Sequence, residues 1–204
     1  MNIVEIKENE INKAANVLAL AFENDPIFNY IFKTPELYHK AAPWLFSTWV
    51  RWAVIYGKAW MTEDGKGVVL MRSLENPHMS FLSMVRAGML PTPFKLGWGA
   101  FKRFYFEIVE TLDRKHAEIM GKTLHWYGWM IGVRPDSRGT GRFLMNYCFK
   151  MADQAGLPIF LETATEHNVS LYNHKEFEMK EKISVGKADF SLYFMVRQAQ
   201  TLNN

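Results

Sequence analysis

The amino-acid sequence predicts an α/β sandwich, and three observations carry that prediction. Two nearly uncharged runs, 124–133 and 157–163, fit strands buried on both faces. Between them, 141–155 places Leu144, Tyr147, Cys148, Met151 and Ala155 on one helical stripe. The chain of 204 residues is 49% hydrophobic and 15% aromatic, enough for one domain with a real core and far from a disordered composition.

Taken in order, residues 3–6 alternate apolar and polar side chains, as a short strand with one buried face does. Asn9 stands where it can cap a helix whose apolar positions Ile11, Ala14, Ala15, Leu18 and Phe22 recur at helical spacing. That helix should stop before Pro26, because the residue preceding a proline is pushed out of the helical region. Helical pieces follow over 27–32 and 37–52. The apolar stretch 41–60 is interrupted by Pro43, Arg51 and Lys58, whereas a bilayer span needs about 20 residues nearly free of charge. It is expected as a buried helix running into a strand at 54–56, and no membrane insertion is expected.

Glu63-Asp64-Gly65-Lys66-Gly67 reads as a turn between hairpin strands at 59–62 and 68–72. Residues 76–122 contain Pro77, Pro91 and Pro93 and two helical patterns, over 81–89 and 101–120. They are expected to form a helical insertion packed over one edge of the sheet. Its Lys95, Lys102, Arg103, Arg114 and Lys115 alternate with aromatics, and solvated helix faces account for them better than a nucleic-acid surface. Beyond the strand 124–133, the loop 134–140 and the helix 141–155 ended by Gly156, the pattern gives a strand at 157–163. A short helix over 168–176 and a closing antiparallel hairpin, 180–185 and 190–197, complete it. One domain spans 1–204, with the insertion at about 76–122 and a core of about 124–177.

Several classes are excluded. The net charge is only +3, so the basic pI does not argue for nucleic acid. The single cysteine, Cys148, cannot form an intramolecular disulfide. The first ten residues lack the pattern of a secretory signal, so a soluble, cytoplasmic protein is expected. The six His and the acidic residues show no metal-ligand spacing, and no metal is expected.

The chemistry lies in Val133-Arg-Pro-Asp-Ser-Arg-Gly-Thr-Gly-Arg142, between a buried strand and an amphipathic helix. A helix N-terminus offers unpaired N–H groups and the positive end of its dipole. Gly139 and Gly141 let the backbone approach a bulky anion, and Arg134, Arg138 and Arg142 add charge, which reads as a phosphate site. The string is neither a Walker loop, which needs G-x-x-x-x-G-K-[ST], nor a dinucleotide fingerprint, whose third glycine is Leu144 here.

Arg138-Gly-Thr-Gly141, preceded by Gly-Val-Arg-Pro, resembles the cofactor loop of the GCN5-related N-acetyltransferase family. Asn168-Val-Ser-Leu-Tyr172-Asn-His-Lys-Glu-Phe177 resembles its last helix, and Ala21-Phe22-Glu-Asn-Asp25-Pro26 a helix end in puromycin acetyltransferase-like members. The resemblance implies a mixed, mostly antiparallel sheet flanked by helices, splayed between two central parallel strands to bind acetyl-CoA. It implies backbone bonds from Ile131 and Val133 to pantetheine. Arg138, Gly139, Thr140, Gly141 and Arg142 would hold the pyrophosphate, and Asn168 would contact the cofactor. Tyr172 aligns with the tyrosine that protonates the departing thiolate, and a phenol with a pKa of about 10 can do this. Two positions depart from the family pattern: Phe143 stands where the loop usually has Gly or Ala, its backbone amide still on offer, and Glu176 replaces the glycine before Phe177.

For the base, Glu162 follows Phe160 on one side of its strand, near the strand end where sites in such sheets open. His125, Glu166 and His167, the last two in the loop before the final helix, are weaker candidates. Cys148, on the core stripe, is not expected to act as a nucleophile. Asp25 and Glu23 could attract a cationic amine, and the many aromatics favour a small apolar one. The expected activity is direct acetyl transfer from acetyl-CoA to a primary amine of a small molecule. Alternatives are a peptide or protein acceptor, a non-catalytic acyl-CoA-binding module and, third, nucleic-acid binding through the insertion. A homodimer is also left open.

Overall fold

The computed structural model describes residues 1–72, 79–186 and 188–200. Its sheet has seven strands: β1 (Ile3–Glu5), β2 (Lys58–Thr62), β3 (Gly67–Arg72), β4 (Trp126–Val133), β5 (Ile159–Thr163), β6 (Phe177–Ser184) and β7 (Ser191–Arg197). They lie in the order β1-β2-β3-β4-β5-β7-β6, and every neighbouring pair is antiparallel except β4–β5. The mixed, mostly antiparallel sheet is the expected one.

Helices cover both faces. On one lie α1 (Ile11–Ala21), α2 (Pro26–Phe32) and α3 (Pro35–Tyr56), whose Leu18, Phe28, Phe46, Trp49 and Trp52 form the larger core with Tyr127 and Phe160. On the other lies α8 (Thr140–Ala155), followed by α9 (Glu166–Asn173), around Leu144, Cys148, Leu161, Tyr172 and Met195. The segment between β3 and β4 contributes α4 (Phe81–Arg86), α5 (Thr92–Leu96), α6 (Trp98–Lys102), a π-helical stretch Arg103–Val109 and α7 (Glu110–Met120). Residues 73–78, which include the expected start of the insertion at 76, lie outside the described residues.

Five expectations need correction. The insertion covers a face of the sheet and not an edge: the His116 ring of α7 stands 4.8 Å from those of Tyr127 and Phe160 on the central strands. Residues 54–56 are the last turn of α3, because a strand there has no neighbour to pair with, and Gly57 ends the helix before β2. Asn9 does not cap α1; it sits in a short 3-10 turn, Glu8–Glu10, where the Glu10 carboxylate accepts from Lys7 N–H. The helix expected from 168 starts at Glu166, capped by Thr165. On α8 the buried stripe is Leu144, Met145, Cys148 and Ala152, so Tyr147 and Ala155 stand off it. Among the described residues no helix is long and apolar enough to cross a membrane.

Candidate active site

The site begins with a failure of strand pairing. β4 and β5 are in register only at Trp126↔Ile159 and Tyr127↔Phe160. A bulge, where β3 pairs Leu70 with Met130 but Met71 with Gly128, adds Trp129 to β4. Arg134 N–H donates to Lys66 C=O (2.8 Å), so these two form a hydrogen-bonded antiparallel pair. Such pairs recur every second residue, which makes Gly132–Val68 and Met130–Leu70 the next ones. The N–H and C=O groups of Ile131 and Val133 therefore turn away from β3, towards β5, beyond the point where β5 stops pairing with them.

The loop after β4 stands at the mouth of that gap. Gly139 caps α8 with φ 80°, a conformation that disfavours side chains. Gly67 on β3 lets α8 approach: a Cβ there would stand 2.5 Å from Thr140 Cγ2 and 2.8 Å from Leu144 Cδ1. The Thr140 side chain is buried against the Ser137 hydroxyl, so only its amide is on offer. The amides of Thr140, Gly141 and Arg142 precede the first N–H that bonds within the helix, that of Phe143. Phe143 N–H, expected to be on offer, instead donates to Gly139 C=O (3.1 Å) as the first bond of the helix. Arg138 and Arg142 are exposed with no carboxylate within ion-pair distance among the described residues, whereas Arg134 is paired with Asp136 (3.1 Å).

Behind the gap is a cavity of about 480 Å³, walled by Phe22, Phe28, Trp49 and Trp129 on one side and by Cys148, Phe149 and Tyr172 on the other. Its polar lining includes Glu162, Asn168, Asp25, Asp113, Glu110 and Arg72. Tyr127 O–H donates to Glu162 Oε1 (2.7 Å); Glu162 Oε2 is buried without a partner among the described residues. Burial pushes the Glu162 carboxyl up to about 7, against the opposing pull of the Tyr127 bond and the Arg72 guanidinium. Arg72, itself buried, lies over the Tyr127 ring (4.5 Å) and reaches Asp113 of α7 at 3.5 Å. Burial also raises Tyr172 to about 12, so its hydroxyl keeps its proton at neutral pH. Asn168 Nδ2 donates to Thr163 Oγ1 (3.1 Å), and its carbonyl oxygen has no hydrogen-bond partner among the described residues.

The structure thus brings Glu162, Tyr172, Asn168, Ile131, Asp25 and Cys148 to one cavity, with Val133 and the 138–142 loop leading from it. It does not bring the weaker base candidates there. His125 bonds His116 (2.6 Å) beneath the sheet, Glu166 accepts from Tyr193 O–H (3.0 Å), and His167 is exposed on α9. Glu23 is paired with His39 on the surface (2.9 Å). Burial holds the Cys148 thiol up at about 12, far from a thiolate. Residue-level reasoning missed Tyr127, Arg72 and Asp113. Tyr127 was findable: with 124–133 and 157–163 as adjacent strands, it shares a face with Phe160 and Glu162.

No family model matches the sequence. A curated relative, an uncharacterized N-acetyltransferase of Schizosaccharomyces pombe, is 28% identical, covering 96% of this chain and 83% of its own. Among solved structures, a histone acetyltransferase and related acetyltransferase from Corynebacterium glutamicum superimposes with a TM-score of 0.66 at 17% identity, covering 100% of this chain and 98% of that one. Arylalkylamine N-acetyltransferase 2 from Aedes aegypti gives 0.62 at 12% identity, covering 98% and 99%. The fold is that of the GCN5-related N-acetyltransferases. Its seven-stranded sheet, opened between the two parallel strands, is the frame on which the cavity, the loop, Glu162 and Tyr172 sit.

Proposed function

We propose that the chain is an N-acetyltransferase that moves an acetyl group from acetyl-CoA directly to a primary amine of a small, largely apolar molecule. The observation that carries this is the divergence of β4 from β5. It presents the unpaired backbone groups of Ile131 and Val133 along a slot, with the α8 N-terminus at one end and Glu162 in the cavity at the other.

The residues present fit acetyl-CoA. Ile131 and Val133 would pair with the pantetheine amides. The amides of Gly139, Thr140, Gly141 and Arg142, with the Arg138 and Arg142 guanidinium groups, would hold the pyrophosphate. The Asn168 carbonyl oxygen would take a cofactor donor. Bound there, the thioester supplies an activated acyl group.

Glu162 takes the proton from the incoming ammonium. A carboxyl raised to about 7 is half ionised near neutral pH and basic enough to do so. Tyr127 orients it through Oε1, and Arg72 and Asp113 set the local charge in opposite senses. The Tyr172 hydroxyl, which keeps its proton, donates to the departing sulfur.

The enclosed aromatic walls favour a small apolar amine over a peptide tail, and the arylalkylamine acetyltransferase among the similar structures supports that choice. Asp25 at the same cavity adds a carboxylate suited to a cationic amine. The segment Ala21-Phe22-Glu-Asn-Asp25-Pro26 supports a likeness to puromycin acetyltransferase-like members.

Calorimetric titration with acetyl-CoA tests the cofactor half. Gly141→Glu is the control, because a Cβ at Gly141 meets only Val133 Cγ2 at an ordinary 3.5 Å and the fold should survive. Binding to the native chain and loss in the variant are expected, followed by amine-dependent release of free thiol. Binding without release for any amine would leave an acyl-CoA-binding module in place of the enzyme.

A further inference from the structure

We infer that the outer face of the insertion docks on an anionic membrane surface and opens the cavity to lipophilic amines held there. The second half rests on the acyl-transfer reading; the docking does not.

The insertion exposes large apolar side chains to a degree that folding alone does not explain. Phe94 is 90% exposed, Phe81 70%, Trp98 65% and Leu90 63%. Three such aromatic rings alone present roughly 400 Å² of apolar surface, the size at which a patch on a soluble chain has a use. Part of this surface is one run of rings: the Trp98 ring touches Phe101 (5.6 Å), Phe101 stacks on Tyr105 (5.8 Å), and Tyr105 meets Phe106 (5.2 Å).

Its charge is one-sided. From Met79 to Phe106, 28 residues carry Arg86, Lys95, Lys102 and Arg103 and not one Asp or Glu. Arg103 is tied to Ile31 C=O (2.7 Å), but Arg86, Lys95 and Lys102 are exposed among the aromatics. Indole and phenyl rings flanked by lysines on short helices suit the headgroup region of a bilayer, and anionic lipid supplies the opposite charge.

A second copy of the chain fits less well. A two-fold interface would set Arg86, Lys95 and Lys102 near their own counterparts, with no carboxylate in the segment to neutralise them. Single-stranded nucleic acid would use the rings and cations but leave Leu82, Val85 and Leu90 without a role.

The position of the patch gives it a purpose. Phe81, Val85, Leu90 and Tyr105 belong both to this exposed face and to the cavity lining. An amine whose apolar body sits in the lipid can therefore enter the cavity along an apolar path, its nitrogen travelling towards Glu162.

Vesicle flotation of the full chain tests the inference. Vesicles of phosphatidylcholine mixed with phosphatidylserine should carry the protein, pure phosphatidylcholine much less, and salt should release it. Phe94→Ser and Trp98→Ser, at exposed positions outside the cavity lining, should each lower partitioning about tenfold and leave the melting temperature unchanged. Transfer to a short water-soluble amine should be unaffected by both, whereas transfer to a long-chain amine carried in the vesicles should fall with partitioning. No flotation of the native chain, or equal flotation of the variants, overturns the docking. So does concentration-dependent dimerisation abolished by the same variants, or binding to a single-stranded oligonucleotide in place of vesicles. Flotation without transfer to any amine would overturn the acyl-transfer reading and the route for lipophilic amines, while the docking stood.

Discussion

Glu162 is where burial raises a carboxyl's pKa at the expense of stability, and the proposed reaction makes use of that shift. An ionised carboxylate is poorly solvated there, so its pKa rises from 4.5 to about 7. A base with that pKa gives a kcat/KM that climbs with pH through about 7 and then levels. Glu162→Gln should abolish the climb and cost at least about 100-fold in kcat/KM. The same shift has a stability sign. A raised acid contributes stability that is fully present below 4.5 and lost as pH rises through about 7, amounting to about 3 kcal/mol. Denaturant titration at pH 8 should therefore find Glu162→Gln more stable than the native chain. For Tyr172→Phe, single-turnover measurements should show about 100-fold slower transfer with acetyl-CoA affinity unchanged; an unchanged rate would take the proton-donor role away. At Glu176 the turn keeps the geometry of the family's glycine, with φ 64° on a side-chain residue. Glu176→Gly should raise stability by about 1 kcal/mol, read as a higher melting temperature. The glycine loop and Tyr172 were legible because each stands in a local string. Arg72 and Asp113 were not, because they lie 41 positions apart and meet only when α7 folds back over β3.

The element that matters most is α8, held at both ends. Its N-terminus rests against β3 only because residue 67 has no side chain, and Gly67→Ala would push Thr140 and Leu144 outward. Such overpacking costs about 1–3 kcal/mol, and it should also weaken acetyl-CoA binding in the same calorimetric titration, since the displaced turn carries the loop amides. Near its C-terminus Asp153 receives Arg197 of β7 through two bonds, 2.7 and 2.9 Å, with both side chains buried. Local patterning found α8 itself, and its strand neighbours, because apolar spacing is written in consecutive residues. It failed where packing overrode it. Residues 54–56 look like a strand but extend α3. The continuous helix expected over 101–120 is divided by the π-helical stretch Arg103–Val109, which lets Arg103 reach Ile31 C=O and Phe104 lie against Trp49 (5.8 Å).

Over the whole molecule these charges shape the pH dependence of folding. Arg197 holds Asp153 below 3.8, so that pair adds stability above 3.8 that is lost as pH falls through the lowered value. Burial raises Asp25 to about 6 and Glu162 to about 7, so their contributions disappear on the alkaline side. Thermal melts should be highest near pH 4, falling towards pH 8 by an amount that Glu162→Gln and Asp25→Asn reduce. By itself, the sequence determined the sandwich, the order of most elements and the loop at the head of α8, and it named Tyr172 and Glu162 as the proposed acid and base. Those follow from periodicity and from short strings, which are properties of neighbours along the chain. Only the tertiary structure decided that β4 and β5 part after Tyr127, that the insertion roofs the opening and leaves its own aromatics exposed, and that Glu162 is enclosed enough to reach about 7. The physical reason is range. Strand separation, desolvation and cavity shape are sums over residues distant in sequence, and no local pattern records them.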